Sequence, residues 1–432
     1  PAPVSSERSG LAGKALTTFG ARGLMAGLTF TASVLAARSL GPAGRGSLAV
    51  AMLLTVLTAA PMAGPQAAAA HEISRRRSSV HRVAMAALAT SIPFSLAIVA
   101  VALAYGAIAG RALPESLEWG LAAQVAVCGS TALMGVFLGR EDTTSYNVLN
   151  ALPPLLTALT FVALVATGND RLQLFLGAWT ASQVAAFLWA VSRLRSLRGA
   201  AAPPVWSGMR FFLRFALVAA LVGLTNVLNW RVDFLVVSAM LSTTKLGIYS
   251  VALQSAESLW LISLAISVAL YGRLGHLSRE RAVALVARSI RQMILGGAIM
   301  GAVLFILAPT LLPAVFGPQY REGVDPVRIL LVGIVPSTTI SVLATYFTNQ
   351  AGRPRVSLAV GGVGAALNAG FSVLFVPRYG ITGAAIATSG SYLVQAVAAL
   401  MLFQRSTHVA WRDLVVVTSG DLDWYRWIAM RR

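Results

Sequence analysis

The sequence predicts an all-α protein that crosses a membrane many times. Hydrophobic residues make up 57% of the 432 residues and charged residues only 11%, whereas an average soluble domain has about 25% charged residues. So few charges cannot cover a soluble surface, which excludes a soluble enzyme. The apolar stretches are also long enough to cross the about 30 Å hydrocarbon core of a bilayer. We therefore predict twelve transmembrane helices arranged as two six-helix lobes.

The twelve predicted spans share a length of about 20 or more mostly apolar residues. They lie at about 17–38, 47–69, 83–109, 117–138, 146–167, 172–192, 213–238, 246–270, 291–315, 327–348, 356–376 and 381–403.

A weak internal repeat supports the division into two lobes. At a constant offset of 201 residues, Leu40, Gly46, Val50 and Ala51 match Leu241, Gly247, Val251 and Ala252. Each set flanks the predicted turn between the first and second helix of a lobe. The predicted organisation is an N-terminal tail at 1–16, a lobe at 17–192, a polar linker at 193–212, a second lobe at 213–403 and a C-terminal tail at 404–432.

Basic residues predict the orientation of the chain. With both termini in the cytoplasm, 24 basic residues face the cytoplasm and 8 face the opposite side, as the positive-inside rule requires. The net charge of +19 then suits loops that face anionic lipid rather than nucleic acid. All predicted outer loops are short, so none could fold into an outer catalytic domain.

Several partial motifs do not reach the pattern of a catalytic or metal site. His71-Glu72 begins like a zinc-protease motif, but Arg75 stands where the second histidine should be. Four histidines and one cysteine argue against a transition-metal centre. The sequence contains no Walker A motif. We therefore expect no enzyme activity, and transport driven by an ion gradient or by the substrate's own gradient.

Ionisable residues inside the spans are the candidate functional residues, because a charge in the hydrocarbon core costs at least a few kcal/mol. Four lie well inside: Arg22, Arg231, Asp233 and Glu257. Helical spacing groups other polar residues with them, namely Thr18, Thr29 and Ser33 on the first span, Asn226 and Asn229 on the seventh, Ser250 and Gln254 on the eighth, and Asn368 and Ser372 on the eleventh. Alternative roles are snorkelling for Arg22, packing for Arg231 and a structural hydrogen bond for Glu257.

Arg231 and Asp233 are only two residues apart. On an unbroken helix their side chains point about 200° away from each other. They could both face one cavity only if the helix bends between them.

Four stretches resemble polysaccharide flippases of the O-antigen and capsule type, in the multidrug/oligosaccharidyl-lipid/polysaccharide (MOP) exporter superfamily. They are Ala37-Arg38-Ser39-Leu40-Gly41-Pro42 with Gly46; Trp230-Arg231-Val232-Asp233 with Leu246-Gly247-Ile248-Tyr249; Leu312-Pro313-Ala314-Val315-Phe316-Gly317-Pro318-Gln319-Tyr320; and a C-terminal group made of Ala351-Gly352-Arg353-Pro354, Leu367-Asn368, Val376-Pro377-Arg378-Tyr379-Gly380-Ile381 and Gly383-Ala384-Ala385-Ile386-Ala387-Thr388.

The resemblance covers essentially the whole chain. It implies a MATE-like fold of twelve helices in two lobes, alternating access, and a polyprenyl-pyrophosphate-linked oligosaccharide as substrate. It also implies the bacterial cytoplasmic membrane as the location. Arg22 and Arg231 are the candidate pyrophosphate ligands, since guanidinium forks suit phosphate oxygens. Thr18, Thr29, Gln254 and Glu257 are the candidate polar residues of the cavity.

Some relatives in this superfamily carry a sodium site between the seventh, eleventh and twelfth helices. Asp233, Asn368, Thr388 and the carbonyl of Ala384 occupy similar positions, and Ser372 stands where those relatives carry a second acid. The loss of that acid predicts weaker sodium binding, or a proton in place of sodium.

The predicted function is therefore a flippase for a lipid-linked oligosaccharide, with membrane lipids as neighbours, no nucleic-acid partner, no cofactor beyond a possible coupling ion, and a monomeric state. One alternative is a multidrug or cation antiporter of the same superfamily. Another, from a different class, is a membrane-bound polysaccharide polymerase or ligase, which would need a sizeable outer loop.

Overall fold

The computed structural model describes residues 4–108, 110, 112–196, 209–261, 263, 267 and 277–416. Regular structure in these ranges is helical throughout, which confirms the predicted fold class. The helices are α1 (Val4–Ala59), α2 (Ala63–Ser74), α3 (Val80–Ile108), α4 (Glu115–Gly139), α5 (Thr143–Ala166), α6 (Leu172–Ser196), α7 (Met209–Met240), α8 (Thr243–Glu257), α9 (Arg279–Phe316), α10 (Val324–Ser337), α11 (Ile340–Thr345), α12 (Pro354–Thr407) and α13 (Trp411–Val415).

Nine helical segments of the described chain are long and apolar enough to cross a membrane, so the protein is a multi-pass membrane protein. Two of the nine, Arg22–Ser74 and Arg355–Thr407, each cover two predicted spans. Part of the predicted span at 246–270 lies outside the described residues. The count of twelve spans stays a prediction.

Glycines interrupt the two longest helices. Gly41 in α1 has φ 65° and ψ −175°, and Gly380 in α12 has φ 57° and ψ −137°. Backbone in this region is accessible almost only to glycine. Both glycines belong to the sequence stretches noted above, and both fall between two predicted spans.

Contacts across these glycines show that the chain reverses there. Twelve residues of straight helix would extend about 18 Å and twenty residues about 30 Å. However, Arg45 Nη2 lies 3.2 Å from Ser33 Oγ, and Thr388 Oγ1 lies 3.4 Å from Asn368 Oδ1. Each glycine therefore folds two helical segments against each other.

The chain forms two compact units, Pro1–Arg231 (unit 1) and Val232–Arg432 (unit 2). The division falls inside α7. The predicted boundaries of the lobes, linker and tails stay a prediction. Residues 197–208 of the predicted linker and 417–432 of the predicted C-terminal tail lie outside the described residues.

Unit 1 is held together by close approaches between helices. A Cβ on Gly135 of α4 would lie 2.0 Å from the carbonyl oxygen of Gln66 on α2, so only glycine allows these backbones to meet. Phe161 and Phe175 pack with ring centroids 4.7 Å apart. The buried carboxylate of Glu72 stabilises the turn after α2. It accepts hydrogen bonds from Ser78 Oγ at 2.7 Å and from Arg76 Nη1 at 3.3 Å.

In unit 2, α10 packs closely against α12. A Cβ on Gly333 would lie 2.4 Å from the carbonyl oxygen of Ser389, and Ser389 Oγ donates to the carbonyl of Ile329 at 2.7 Å. α10 ends at Ser337, directly after Pro336. The contact between Gly333 and Ser389 positions the second half of α12 against α10, and this half carries Thr388.

Candidate functional site

A cluster of buried polar side chains lies inside unit 2, where α7, α8 and α12 meet. Asp233 comes from α7, Tyr249 from α8, and Asn368, Ser372 and Thr388 from α12. None is more than 1% exposed. We call these five residues the oxygen cluster. Four of them were predicted from the sequence as cation ligands, and the structure brings those four together.

The carboxylate of Asp233 is the centre of the cluster. Its Oδ2 accepts hydrogen bonds from Tyr249 Oη at 2.6 Å and from Thr388 Oγ1 at 3.0 Å. Its Oδ1 accepts from the backbone N–H of Phe234 at 2.9 Å. Hydrogen bonds to a charged acceptor are roughly twice as strong as neutral ones, so these three donors are placed to stabilise a negative charge on the carboxylate.

The amide of Asn368 forms the other side of the cluster. Ser372 Oγ donates to its Oδ1 at 3.2 Å, and Thr388 Oγ1 lies 3.4 Å from the same oxygen. Asn368 Nδ2 is buried and has no hydrogen-bond partner, which is costly for a polar group. Half a turn of the amide would exchange Oδ1 and Nδ2. Nδ2 could then donate to Ser372 Oγ and to Thr388 Oγ1, while Thr388 keeps donating its one hydrogen to Asp233. The amide can therefore turn its oxygen toward a bound ion.

The oxygen atoms of the cluster suit a small hard cation or a proton. Carboxylate, amide and hydroxyl oxygens are the ligands that such cations prefer. The cluster holds one carboxylate, which balances a single positive charge. Ala384 is buried one helical turn before Thr388, and the role of its carbonyl as a ligand stays a prediction.

Sequence reasoning missed Tyr249 as a member of the cluster. It entered only as part of the stretch Leu246-Gly247-Ile248-Tyr249. The available signal was a tyrosine within a predicted span, since a buried phenol usually finds a hydrogen-bond partner. Periodicity along α8 could not show that this partner is a carboxylate on α7.

Comparison with known proteins gives limited sequence similarity. No protein-family model matches the chain. An uncharacterized membrane protein of Methanocaldococcus jannaschii is 32% identical over 94 residues, which is 22% of this chain and 18% of that protein. The match therefore spans less than a fifth of the relative.

Solved structures are much more similar in fold. A lipid II flippase, MurJ, in an inward closed conformation has a TM-score of 0.74 at 11% identity, over 96% of this chain and 93% of that chain. An inward-facing multidrug resistance MATE family transporter of the MOP superfamily has a TM-score of 0.72 at 16% identity, over 89% and 94%. The chain has the MOP transporter fold. A MOP superfamily transporter from Pyrococcus furiosus, described as having a binding pocket of reverse polarity, has a TM-score of 0.63 at 16% identity, over 92% and 95%.

Within this MOP fold, Arg22 lies exposed on α1 of unit 1. No carboxylate of the described residues pairs with it. Thr29 is also exposed on α1, and the side chain of Thr18 lies outside the described residues. The roles of these three residues in substrate binding stay predictions.

Arg231 and Asp233 do not share a surface of α7. The helix runs without a break from Met209 to Met240, so the bend that would bring both side chains to one cavity is absent. Arg231 is half-buried and its Nη1 donates to the carbonyl of Trp230 at 3.1 Å, whereas Asp233 is fully buried in the oxygen cluster.

The two residues of α8 that were predicted to line the substrate cavity lie outside the oxygen cluster. Gln254 and Glu257 are both half-buried, and Glu257 is the last residue of α8. Their role in a substrate cavity stays a prediction.

The charges of unit 1 are distributed unevenly within the MOP fold. The part of α1 from residue 20 to 59 carries Arg22, Arg38 and Arg45 and no acid. From residue 20 to the end of unit 1, the acidic residues lie at or near helix ends, at Glu72, Glu115, Glu118, Glu141, Asp142 and Asp170. The middles of its helices therefore offer no carboxylate.

Proposed function

We propose that the protein is a flippase that moves a polyprenyl-pyrophosphate-linked oligosaccharide from the cytoplasmic to the outer leaflet by alternating access. The MOP fold supports a transporter. The four sequence stretches described above favour the oligosaccharide class over others. The short predicted outer loops also favour a transporter over a polymerase or ligase, so we infer that the protein is not an enzyme.

The observation that carries the proposal is the charge of unit 1. Arg22 is a guanidinium on an apolar helix and has no carboxylate partner among the described residues. An unpaired charge at such a site is costly unless water or a ligand satisfies it. A pyrophosphate would do so through charge-assisted hydrogen bonds to a guanidinium fork. An anionic substrate therefore fits this half of the chain.

The same charge distribution disfavours the main alternative, an antiporter of cationic drugs. Such a substrate needs a carboxylate within the membrane. Unit 1 offers acids only near its helix ends. In unit 2, Asp233 is already held by three donors, so Glu257 at the end of α8 is the remaining acid within a predicted span.

We infer that the oxygen cluster couples transport to a cation gradient. A bound sodium ion or proton would neutralise Asp233. Tyr249 and Thr388 hold the carboxylate oxygen in place, and Asn368 and Ser372 supply further oxygens. The loss of charge on binding lowers the cost of keeping this group inside the membrane, which would favour one conformation over the other.

The location and the state of assembly belong to the same proposal. We infer a bacterial cytoplasmic membrane, cytoplasmic termini and a monomer. The excess of basic residues on one side supports this orientation.

Reconstitution tests the proposal directly. The purified protein in vesicles should transfer a fluorescent prenyl-pyrophosphate oligosaccharide between leaflets, measured as accessibility to an external quencher. Ethidium, a cationic dye, is the matched probe for the antiporter. Gel analysis of the glycan reports any polymerase or ligase activity. Transport of ethidium without transfer of the glycolipid, or lengthening of the glycan, would overturn the proposal.

A further inference from the structure

A groove runs along the surface of unit 2 between α9 and α10. Its volume of about 430 Å³ lies within the range of about 300–1,000 Å³ that is typical of ligand pockets. The lining is apolar except for Arg328. Phe305, Ile306 and Val332 line it while remaining 44–70% exposed, so the groove opens toward the surroundings of the helices.

Small residues on α9 create the groove. Gly301, Ala298 and Ala302 line it opposite Val335 of α10. A Cβ on Gly301 would lie 2.9 Å from Val335 Cγ2, so the two helices touch at the floor. The small side chains above that contact leave apolar space beside α9.

Arg328 is held at one end of the groove by the backbone of α9. Pro309 lacks an N–H group, so the carbonyl of Phe305, four residues earlier, loses its helical hydrogen bond. Arg328 Nε donates to this carbonyl at 3.2 Å. The guanidinium also lies 4.9 Å from the centroid of the Phe305 ring. Arg328 thus stabilises a helix interrupted by proline.

The remaining donors of Arg328 point to an anionic ligand. Neither Nη group makes a hydrogen bond within the described residues, and no carboxylate of those residues pairs with the guanidinium. A guanidinium at a membrane surface recognises phosphate oxygens through paired N–H donors. The groove therefore offers a phosphate-binding group at one end and an apolar channel beyond it.

The length of the groove matches one leaflet. Arg328 lies in the first turns of α10 and Pro336 lies eight residues later, a distance of about 12 Å along the helix. Half of the hydrocarbon core is about 15 Å thick. A phosphate at Arg328 would place an attached chain along the groove toward the middle of the membrane.

We propose that this groove is a binding site for a membrane phospholipid, with the phosphate on Arg328 and one acyl chain between α9 and α10. The basic-residue distribution predicts that Arg328 lies on the outer side, so the ligand is a lipid of the outer leaflet. Lipid tails are as apolar as the groove, so burial of the chain alone gives little preference. Selectivity comes from the phosphate contact and from the shape of the groove. A polyprenyl chain of many isoprene units would extend well beyond it.

Photo-crosslinking tests the apolar part of the site. The full chain is placed in phosphatidylcholine vesicles that contain phosphatidylglycerol with a photoactivatable group on one acyl chain, and labelled peptides are mapped by mass spectrometry. Label should concentrate on α9 and α10. Ala302→Trp fills the groove and should lower this labelling roughly tenfold, equivalent to about 1.4 kcal/mol. Val303→Trp is the matched control, because Val303 is the exposed neighbour outside the groove. Equal labelling of Ala302→Trp and Val303→Trp would contradict the proposed site.

A second pair of variants separates recognition of phosphate from the structural role of Arg328. Pro309→Ala supplies a backbone N–H group that can donate to the Phe305 carbonyl. This carbonyl then no longer depends on Arg328 for a hydrogen bond. Labelling should persist in Pro309→Ala and should fall in Pro309→Ala/Arg328→Ala. Equal labelling of these two proteins would disprove the phosphate contact. If unlabelled prenyl pyrophosphate displaces the probe and unlabelled phosphatidylglycerol does not, the occupant is the transported lipid and the proposal is wrong.

Discussion

The hydroxyl of Tyr249 donates a 2.6 Å hydrogen bond to Oδ2 of Asp233. Both residues are fully buried in unit 2. The bond joins α7 to α8 and occupies the oxygen that Thr388 also contacts, at 3.0 Å. A cation bound at Asp233, as we propose, would have to replace or share these donors, so the tyrosine would link ion binding to the packing of the two helices.

Tyr249→Phe removes this donor and leaves the buried carboxylate with fewer hydrogen bonds. A hydrogen bond to a charged group contributes about 1.5–3 kcal/mol, so the melting temperature in detergent should fall. The sodium or pH dependence of melting should change at the same time. Tyr105→Phe is the matched control, since Tyr105 is 70% exposed. Equal melting of the parent and Tyr249→Phe would show that the bond carries little energy.

Asp233→Asn should abolish the ion-driven component of transport and leave the fold intact. The amide keeps the size of the side chain and one acceptor oxygen, which can still accept from Tyr249 and Thr388, but it cannot carry the charge that attracts a cation. Transport by reconstituted protein is measured with and without imposed sodium and proton gradients. Asp170→Asn, at an exposed acid, should respond to gradients like the parent. A gradient response in Asp233→Asn would make Asp233 structural.

Arg22→Ala should nearly stop transfer of the labelled glycolipid, and Arg22→Lys should retain part of it. Lysine keeps the charge but loses the planar fork that binds phosphate oxygens in pairs. Arg378→Ala removes another exposed arginine, at the opposite predicted face, and should leave transfer unchanged. If Arg22 only snorkels to the interface, both Arg22 variants will transfer at the parental rate.

Cysteine accessibility tests the predicted orientation. Cys128 is fully buried and accepts a hydrogen bond from Gln124 Nε2 at 3.1 Å, so Cys128→Ser gives a background without thiols and keeps an acceptor. Single cysteines at Arg76 and Arg279 should react only with permeant reagents in intact cells. Those at Arg321 and Arg378 should also react with impermeant ones. Outside labelling at Arg279 would contradict the twelve-helix arrangement.

Gly333→Ala should destabilise unit 2 by about 1–3 kcal/mol, the cost of overpacking. The new Cβ would lie 2.4 Å from the carbonyl oxygen and 2.5 Å from the Cα of Ser389. Gly361→Ala is the control, because no atom lies within 4 Å of its Cβ position, and alanine in an open helical site stabilises by about 0.4–1 kcal/mol. Thermal unfolding in detergent compares the two. A similar effect from both substitutions would mean that the α10–α12 contact relaxes easily.

The sequence predicted the helical fold and most of the oxygen cluster, but not the contacts that depend on how helices meet. Composition and span length suffice for the first, because the bilayer fixes helix length. The stretches around Asp233, Asn368 and Thr388 suffice to predict that the four candidate cation ligands lie together. Tyr249 and the bond between Arg328 and the Phe305 carbonyl were missed, since spacing along one helix does not specify its partner on another.

The carboxylate of the oxygen cluster has no counterpart at the matching repeat position of unit 1. At the repeat offset of 201, Asp233 and Tyr249 correspond to Ala32 and Leu48, which belong to the apolar core of unit 1. By mass action, a cation that binds only the folded site stabilises the element that holds it. With the proposed cation bound, external salt would therefore act as a ligand for the second repeat, whereas the matching positions of the first repeat offer it no carboxylate.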